Sequence, residues 1–275
     1  VGGVVQINLL VSRQVASGTE GAISWLVYAD RLYQLPLGVV AIAVGTVLLP
    51  ELSRRLQAGD HAGGREAFNR GTEFALLLTL PAAVALVIIA QPITEVLYQR
   101  GLFGPDDTFA TALALAIYGL GLPAFVLQKA LQPLFYARED TRSPFRYAVW
   151  SMVLNAALAF GLMPWIGFSA AAWATTVSAW IMVGQLWWGA RRLGEEARFD
   201  ARFLSRLWRI CAASALMGAA LWGGWSLLQP MLEAKAYRIL ALVLLIGIGM
   251  ASYAVAAFAL KAVRLSDLRA LRRQR

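Results

Sequence analysis

A charged pair, Asp30 and Arg31, interrupts the long apolar segment from Ile23 to Leu49. A charged side chain near the centre of a membrane helix costs about 2.5–3.5 kcal/mol on insertion scales, so charge kept there has a partner or a use. Neighbours on a helix point about 100° apart, so Asp30 and Arg31 do not share a face. Arg31 shares its face with Tyr28, Gln34 and Leu35. Two readings follow. Arg31 snorkels or bonds a carboxylate of a distant helix, or it lines a polar cavity and binds an anion. A planar guanidinium suits phosphate because its fork bonds two oxygens at once. Pro36 stands one turn further along and clashes with the carbonyl of Leu32. It predicts a bend that is either a hinge or a passive kink.

A second polar patch comprises Asn155, Thr175, Thr176 and Ser178, on two segments joined by a tight hairpin through Pro164. Such oxygens either ligate a small cation such as sodium or hydrogen-bond one helix to another. His61 is the single histidine and falls in a loop, where solvation is expected, and no metal cluster or Ser-His-Asp set can be built around it. Cys211 is the single cysteine, which excludes an internal disulfide and reads as a small packed hydrophobe. The acidic pair Asp106-Asp107 is the candidate that a membrane-embedded polyprenyl-phosphate transferase would need for a metal. No GxxxxGK[ST] loop is present to cradle nucleotide phosphates.

These residues sit on elements set by the membrane. Of 275 residues 59% are hydrophobic and only 15% charged, well below the charge of a soluble domain. A bilayer core takes about 20 apolar residues as helix. By that measure spans are expected at Val1–Ser17, Ile23–Leu49, Phe74–Ala90, Phe109–Leu131, Tyr147–Met163, Ser169–Trp188, Ile210–Leu228 and Ile239–Leu260, about eight in all. Gln57–Gly71 reads as an interfacial helix plus a turn. Several tryptophans near span ends (Trp25, Trp165, Trp187, Trp188, Trp208) read as interfacial anchors.

The connections alternate. Arg54, Arg55, Arg65 and Arg70 lie in one; Arg138, Arg142 and Arg146 in the next but one; Arg191, Arg192, Arg198, Arg202, Arg206 and Arg209 in another; and a basic tail, Leu265–Arg275, follows the last span. The intervening connections are poor in basic residues. The positive-inside rule puts every Arg-rich loop and the C-terminus in the cytoplasm. The net charge of +9 therefore belongs to membrane topology. No basic stripe interleaved with aromatics indicates nucleic acid. The chain opens Val-Gly-Gly-Val-Val with no initiator Met, and reads as cut inside a larger protein.

Three strings carry a family resemblance. Trp25–Pro50, WLVYADRLYQLPLGVVAIAVGTVLLP, resembles the eighth transmembrane helix of the MurJ (MviN) lipid II flippases, within the multidrug/oligosaccharidyl-lipid/polysaccharide exporter superfamily. Leu97–Asp107, LYQRGLFGPDD, resembles their external loop, and Leu134–Pro144, LFYAREDTRSP, their cytoplasmic segment. Order, spacing and sidedness agree. The resemblance implies an all-α polytopic membrane protein of the bacterial inner membrane, not an enzyme. Residues 1–190 would form the second six-helix lobe, and 191–275 two additional helices and a basic cytoplasmic tail. The N-terminal lobe would be a missing partner.

The resemblance further implies that Arg31 engages the pyrophosphate of an undecaprenyl-linked precursor, with Asp30, Tyr28 and Gln34 beside it and Pro36 as hinge. Gln34 stands where the family often has an acid. Some members bind sodium; Asn155 and Thr175 fall near those ligands, with Ser151 and Ala171 at neighbouring positions. No other cofactor is implied. The last two helices would offer the polyprenyl tail, and membrane lipids, a groove. The implied activity is flipping lipid II by alternating access for peptidoglycan synthesis and cell shape. The alternative is a related exporter of drugs or polysaccharide-linked lipids.

Overall fold

A computed structural model describes residues 20–43, 48–234 and 236–262. Its helices are α1 (Ala22–Ala43), α2 (Leu49–Gln57), α3 (His61–Ile88), α4 (Ala90–Tyr98), α5 (Pro105–Tyr136), α6 (Arg142–Ile166), α7 (Ser169–Ala190), α8 (Ala201–Glu233) and α9 (Arg238–Ala259). A 3-10 turn, Glu195–Ala197, precedes α8. No β-strand occurs among the described residues, in keeping with the all-α expectation. The expected first span, Val1–Ser17, and the tail Leu265–Arg275 lie outside the described residues.

Five helices, α3, α5, α6, α8 and α9, are long and apolar enough to cross a membrane. α1 and α7 have comparable length, 22 residues each, but α1 carries Tyr28, Asp30, Arg31, Tyr33 and Gln34, and α7 is rich in Ser, Thr and Trp. Polar content on a spanning helix is tolerated where it faces protein. α7 does so: it packs between α5 and α6.

Local chemistry sets the boundaries. α2 begins at a proline and links Glu51 to Arg54 (2.7 Å) and Arg55 (2.5 Å) on its polar face. Gly59, at φ +71°, turns the chain. The Asp60 carboxylate then accepts the Gly63 N–H at 2.8 Å and caps α3. This changes the expected division at Gln57–Gly71: a short helix, α2, ends at Gln57, and His61–Gly71 is the first part of the long helix α3. α5 starts at Pro105, with Asp107 accepting the Gly104 N–H at 2.8 Å. α6 contains Pro164 and ends before Gly167, whose φ of +58° makes the hairpin into α7.

α5 is the centre. Its apolar stretch is 72% buried, against 17% for α6, which lies at the edge. α5 touches α1, α3, α4 and α7. Glycines permit its close crossings, as small residues do between membrane helices. A Cβ on Gly121 would meet Thr176 Oγ1 of α7 at 2.9 Å, and one on Gly119 would meet Leu86 Cβ of α3 at 3.1 Å. α8 and α9 pack on each other, and α8 also packs on α3.

Candidate functional site

α1 has two faces. Ala22, Leu26, Ala29, Tyr33 and Val40 are buried, a helical spacing that turns them toward α5. The opposite stripe, Ile23, Val27, Arg31, Leu35, Val39 and Ile42, is exposed. Arg31 occupies the middle of that stripe, and no hydrogen bond or ion pair to it is found among the described residues. Asp30 points elsewhere. It is half-buried and accepts a hydrogen bond from the Gln34 amide, one turn on along its own face. Its charge also reaches the ring hydroxyls of Tyr33 and Tyr118, which pack at 5.7 Å. Asp30 and Arg31 thus point in different directions around the helix, as the sequence required, with Gln34 between the two faces and bonded to Asp30. Pro36 lies inside α1, which continues past it to Ala43.

Tyr28 packs at 4.6 Å on Tyr98 of α4 and at 5.6 Å on Phe103 of the following loop. Arg31 lies within electrostatic reach of Tyr98. Burial pushes the Tyr98 phenol up, and the guanidinium pulls against that shift. The arrangement sets an exposed guanidinium beside a half-buried aromatic cluster.

The second polar patch is an interhelical network. The Asn155 amide N–H of α6, on a side chain 1% exposed, donates to Thr175 Oγ1 (3.2 Å) and Ser178 Oγ (3.4 Å) of α7. Ser151 Oγ donates to the Ser178 carbonyl at 3.1 Å, and Thr176 Oγ1 to the Ile117 carbonyl of α5 at 2.9 Å. Both hydroxyls facing Asn155 donate to backbone carbonyls. Asn155 Oδ1 is buried without a partner, so it is the oxygen this set leaves free for a cation. Sodium takes several oxygens. Groups of three or more His, Cys, Asp or Glu able to hold a metal are absent among the described residues.

The Arg-rich connections converge at one end of the bundle. The Arg65 guanidinium donates to the carbonyls of Arg198 (3.0 Å) and Phe199 (3.2 Å). Asn69 donates to the Arg198 carbonyl and accepts the Asp200 N–H, each at 3.0 Å. Arg70 pairs with both Glu73 and Asp200, and Arg206 pairs with Glu73. Glu196, 2% exposed, takes Arg138 at 2.9 Å and also His61. At the opposite end Arg238 of α9 meets Glu95 of α4 at 3.1 Å. None of these partnerships was visible in sequence. A buried acid among arginines was the available signal, and loop arginines read first as topology.

The structure adds to three expectations. His61 is exposed, as expected, but it opens α3 instead of lying in a loop, and its ring also meets the buried Glu196 carboxylate. Cys211 is exposed on α8, not packed inside. Trp25 is tied within the protein: its Nε1–H donates to Asp107 Oδ1 at 2.7 Å, and its ring meets Phe168 edge-on at 5.0 Å. Asp107 thereby has both oxygens engaged in holding structure.

Comparison with known proteins agrees with this geometry. The family model described as "Lipid II flippase MurJ" matches residues 1–256. A protein of Rhizobium meliloti (strain 1021), "Probable lipid II flippase MurJ", is 46% identical over 271 residues, 98% of this chain and 50% of that protein. Its namesake from Vibrio cholerae serotype O1 is 37% identical over 270 residues, 97% of this chain and 51% of that protein. The chain spans about half the length of the curated relatives it matches. The solved structure "Lipid II flippase MurJ, inward closed conformation" is similar with a TM-score of 0.76 at 26% identity, over 92% of this chain and 50% of that one. "MATE in the bent conformation", at 14% identity and a TM-score of 0.61 over 94% of this chain and 62% of that one, shares the fold alone.

Proposed function

The chain belongs to the lipid II flippase MurJ family, and on that premise we propose that it works as the second half of a flippase. The cargo is the undecaprenyl-pyrophosphate-linked peptidoglycan precursor, moved from the cytoplasmic to the outer leaflet of the bacterial inner membrane. One observation supports this most: Arg31 stands exposed at mid-helix, while the neighbouring acid, Asp30, is turned away and bonded to Gln34. A guanidinium held there without a carboxylate is suited to a diphosphate, whose oxygens its fork bonds in pairs. The facing wall of the cavity comes from a first lobe. Residues 1–190 act as the second lobe, and α8 and α9 as an added pair.

Transport follows alternating access. The Arg-rich end faces the cytoplasm, the headgroup enters from that side, and the polyprenyl tail stays among membrane lipids. The two lobes then rock about the bound headgroup, with Pro36 as the point where α1 bends. The membrane potential contributes about 2.3 kcal/mol per charge per 100 mV.

The test is Arg31→Ala in the full-length protein, read as delivery of labelled lipid II to the outer leaflet and as rescue of cells depleted of their own flippase. Loss of both is expected. Unimpaired delivery removes Arg31 from the mechanism. The second reading, an exporter of drugs or polysaccharide-linked lipids, rests on the half-buried Asp30 carboxylate as a cation ligand. Depletion distinguishes them: precursor accumulation with growth arrest supports the flippase, and drug sensitivity alone supports the exporter.

A further inference from the structure

The string Leu97–Asp107 has no part in the scheme above, yet it holds α1 at two places. Trp25 Nε1 donates to Asp107 Oδ1 at 2.7 Å. One turn on, Tyr28 stacks against Tyr98 at 4.6 Å and Phe103 at 5.6 Å, and Tyr98 and Phe103 lie 6.1 Å apart. The loop is itself built to stay in place. Gly101, at φ +61°, allows the tight turn, the Phe103 N–H donates to the Arg100 carbonyl at 3.2 Å, and Asp107 bonds the Gly104 N–H. Further along the same half of α1, Tyr33 packs on Tyr118 and Phe125 of α5 at 5.7 and 5.6 Å. All these ties precede Pro36. Beyond it, Leu37–Ala43 reads LGVVAIA, with neither a ring nor a polar side chain.

We propose that Trp25, Tyr28, Tyr98, Phe103 and Asp107 form a strap that fixes the half of α1 carrying Arg31, so that Arg31 keeps its place while the helix flexes at Pro36. They are positioning residues. Trp25 and Tyr28 precede Arg31 by six and three residues, so a tilt or rotation of this half would carry the guanidinium with it. The hydrogen bond sets the height of α1 against the start of α5. The rings set its rotation, because aromatic pairs prefer particular tilts and spacings. After Pro36, Leu37 and Val40 join an apolar cluster with Val126 and Ala130 of α5. The role assigned to Arg31 rests on the flippase reading; the strap itself does not.

The experiment uses the full-length protein in vesicles of phosphatidylethanolamine and phosphatidylglycerol. The exposed Cys211 and any other cysteines are replaced, and a nitroxide is attached at Val27→Cys or Val39→Cys, one on each side of Pro36. Tyr98→Ala with Phe103→Ala should raise the mobile fraction at position 27 by about 2-fold or more, because each of the two aromatic pairs Tyr28 loses commands about 2- to 10-fold alone. Position 39 should not change. Tyr98→Phe, which keeps the ring, should restore the wild-type spectrum. In the same vesicles the Ala variants should raise the lipid II concentration for half-maximal flipping more than they lower the maximal rate. An unchanged spectrum at 27, or equal loosening at 27 and 39, overturns the strap. Loosening confined to 27 with unaltered flipping overturns its positioning role. Failure of the flippase reading shows up separately, as no flipping of lipid II by the parent protein in the same vesicles.

Discussion

Arg206 of α8 and Glu73 of α3, each with a side chain 9% exposed, form an ion pair that fastens the start of α8 to α3. Glu73 is shared with Arg70, which also holds Asp200 at the N-terminus of α8. Removing one partner of a buried pair strands the other charge, at a cost of about 3–5 kcal/mol, whereas replacing both by apolar residues is often neutral. Glu73→Ala should therefore lower the melting temperature sharply, while Glu73→Leu with Arg206→Met should recover most of the loss. Thermal unfolding in detergent measures both. Additive losses in the double variant would show that the two side chains do not act as a pair.

Arg31 separates stability from activity. It is exposed, and surface changes of that kind usually stay within about 0.5 kcal/mol. Arg31→Ala and Arg31→Lys should both melt as the parent does. Lysine keeps the charge but not the planar fork, so Arg31→Lys should retain only part of the flipping that Arg31→Ala abolishes. Full activity in the lysine variant would mean that charge alone suffices.

Asp140, in the loop before α6, accepts the Ser143 N–H at 3.0 Å. That backbone bond and one from the Ser143 hydroxyl outweigh burial and hold the carboxyl below its ordinary value of 3.8. A depressed folded value means that Asp140 stabilises the protein above its ordinary value and ceases to as pH falls through the folded one. Asp140→Ala should cost about 0.5–2 kcal/mol at neutral pH, as for a lost helix-start acceptor. It should also flatten the fall in melting temperature below pH 4, where the parent loses this bond. Parallel pH profiles for parent and variant would refute the assignment.

Asn155 joins α6 to α7 through Thr175 and Ser178. Hydrogen bonds between membrane helices contribute about 0.6 kcal/mol on average and up to about 1.7. Asn155→Ala should lose an amount in that range, measured by unfolding in mixed micelles. With one free oxygen in the described set, the parent should melt at the same temperature in sodium and potassium chloride. A higher melting temperature in sodium, lost in Asn155→Ala, would establish a cation there.

Gly121 sets the distance between α5 and α7. A Cβ at that position meets Thr176 Oγ1 at 2.9 Å and Thr176 Cα at 3.5 Å. Overpacking a close contact costs about 1–3 kcal/mol. Gly121→Val should reduce melting temperature and the yield of folded protein, while Gly161→Val, where a Cβ meets nothing within 4 Å, should leave both unchanged.

Much of this protein is legible one residue at a time. Apolar runs of spanning length, the prolines and glycines that end them, and arginines gathered in alternate connections are local properties. They determined the all-α membrane fold, the helix pairs and the segregation of the Arg-rich connections, because the bilayer acts as a solvent on each segment separately. The helical angle between Asp30 and Arg31 likewise needed no tertiary information. The partners did. Glu73 with Arg206, Glu196 with His61 and Arg138, and Trp25 with Asp107 lie 133, 135, 58 and 82 residues apart. Which face of one helix meets which face of another depends on crossing angles and close approaches, such as that at Gly121, that no local pattern records. Loop arginines therefore showed in sequence which connections share a side. Only packing decided that several of them also hold buried acids, and that Arg31 has no hydrogen bond or ion pair among the described residues.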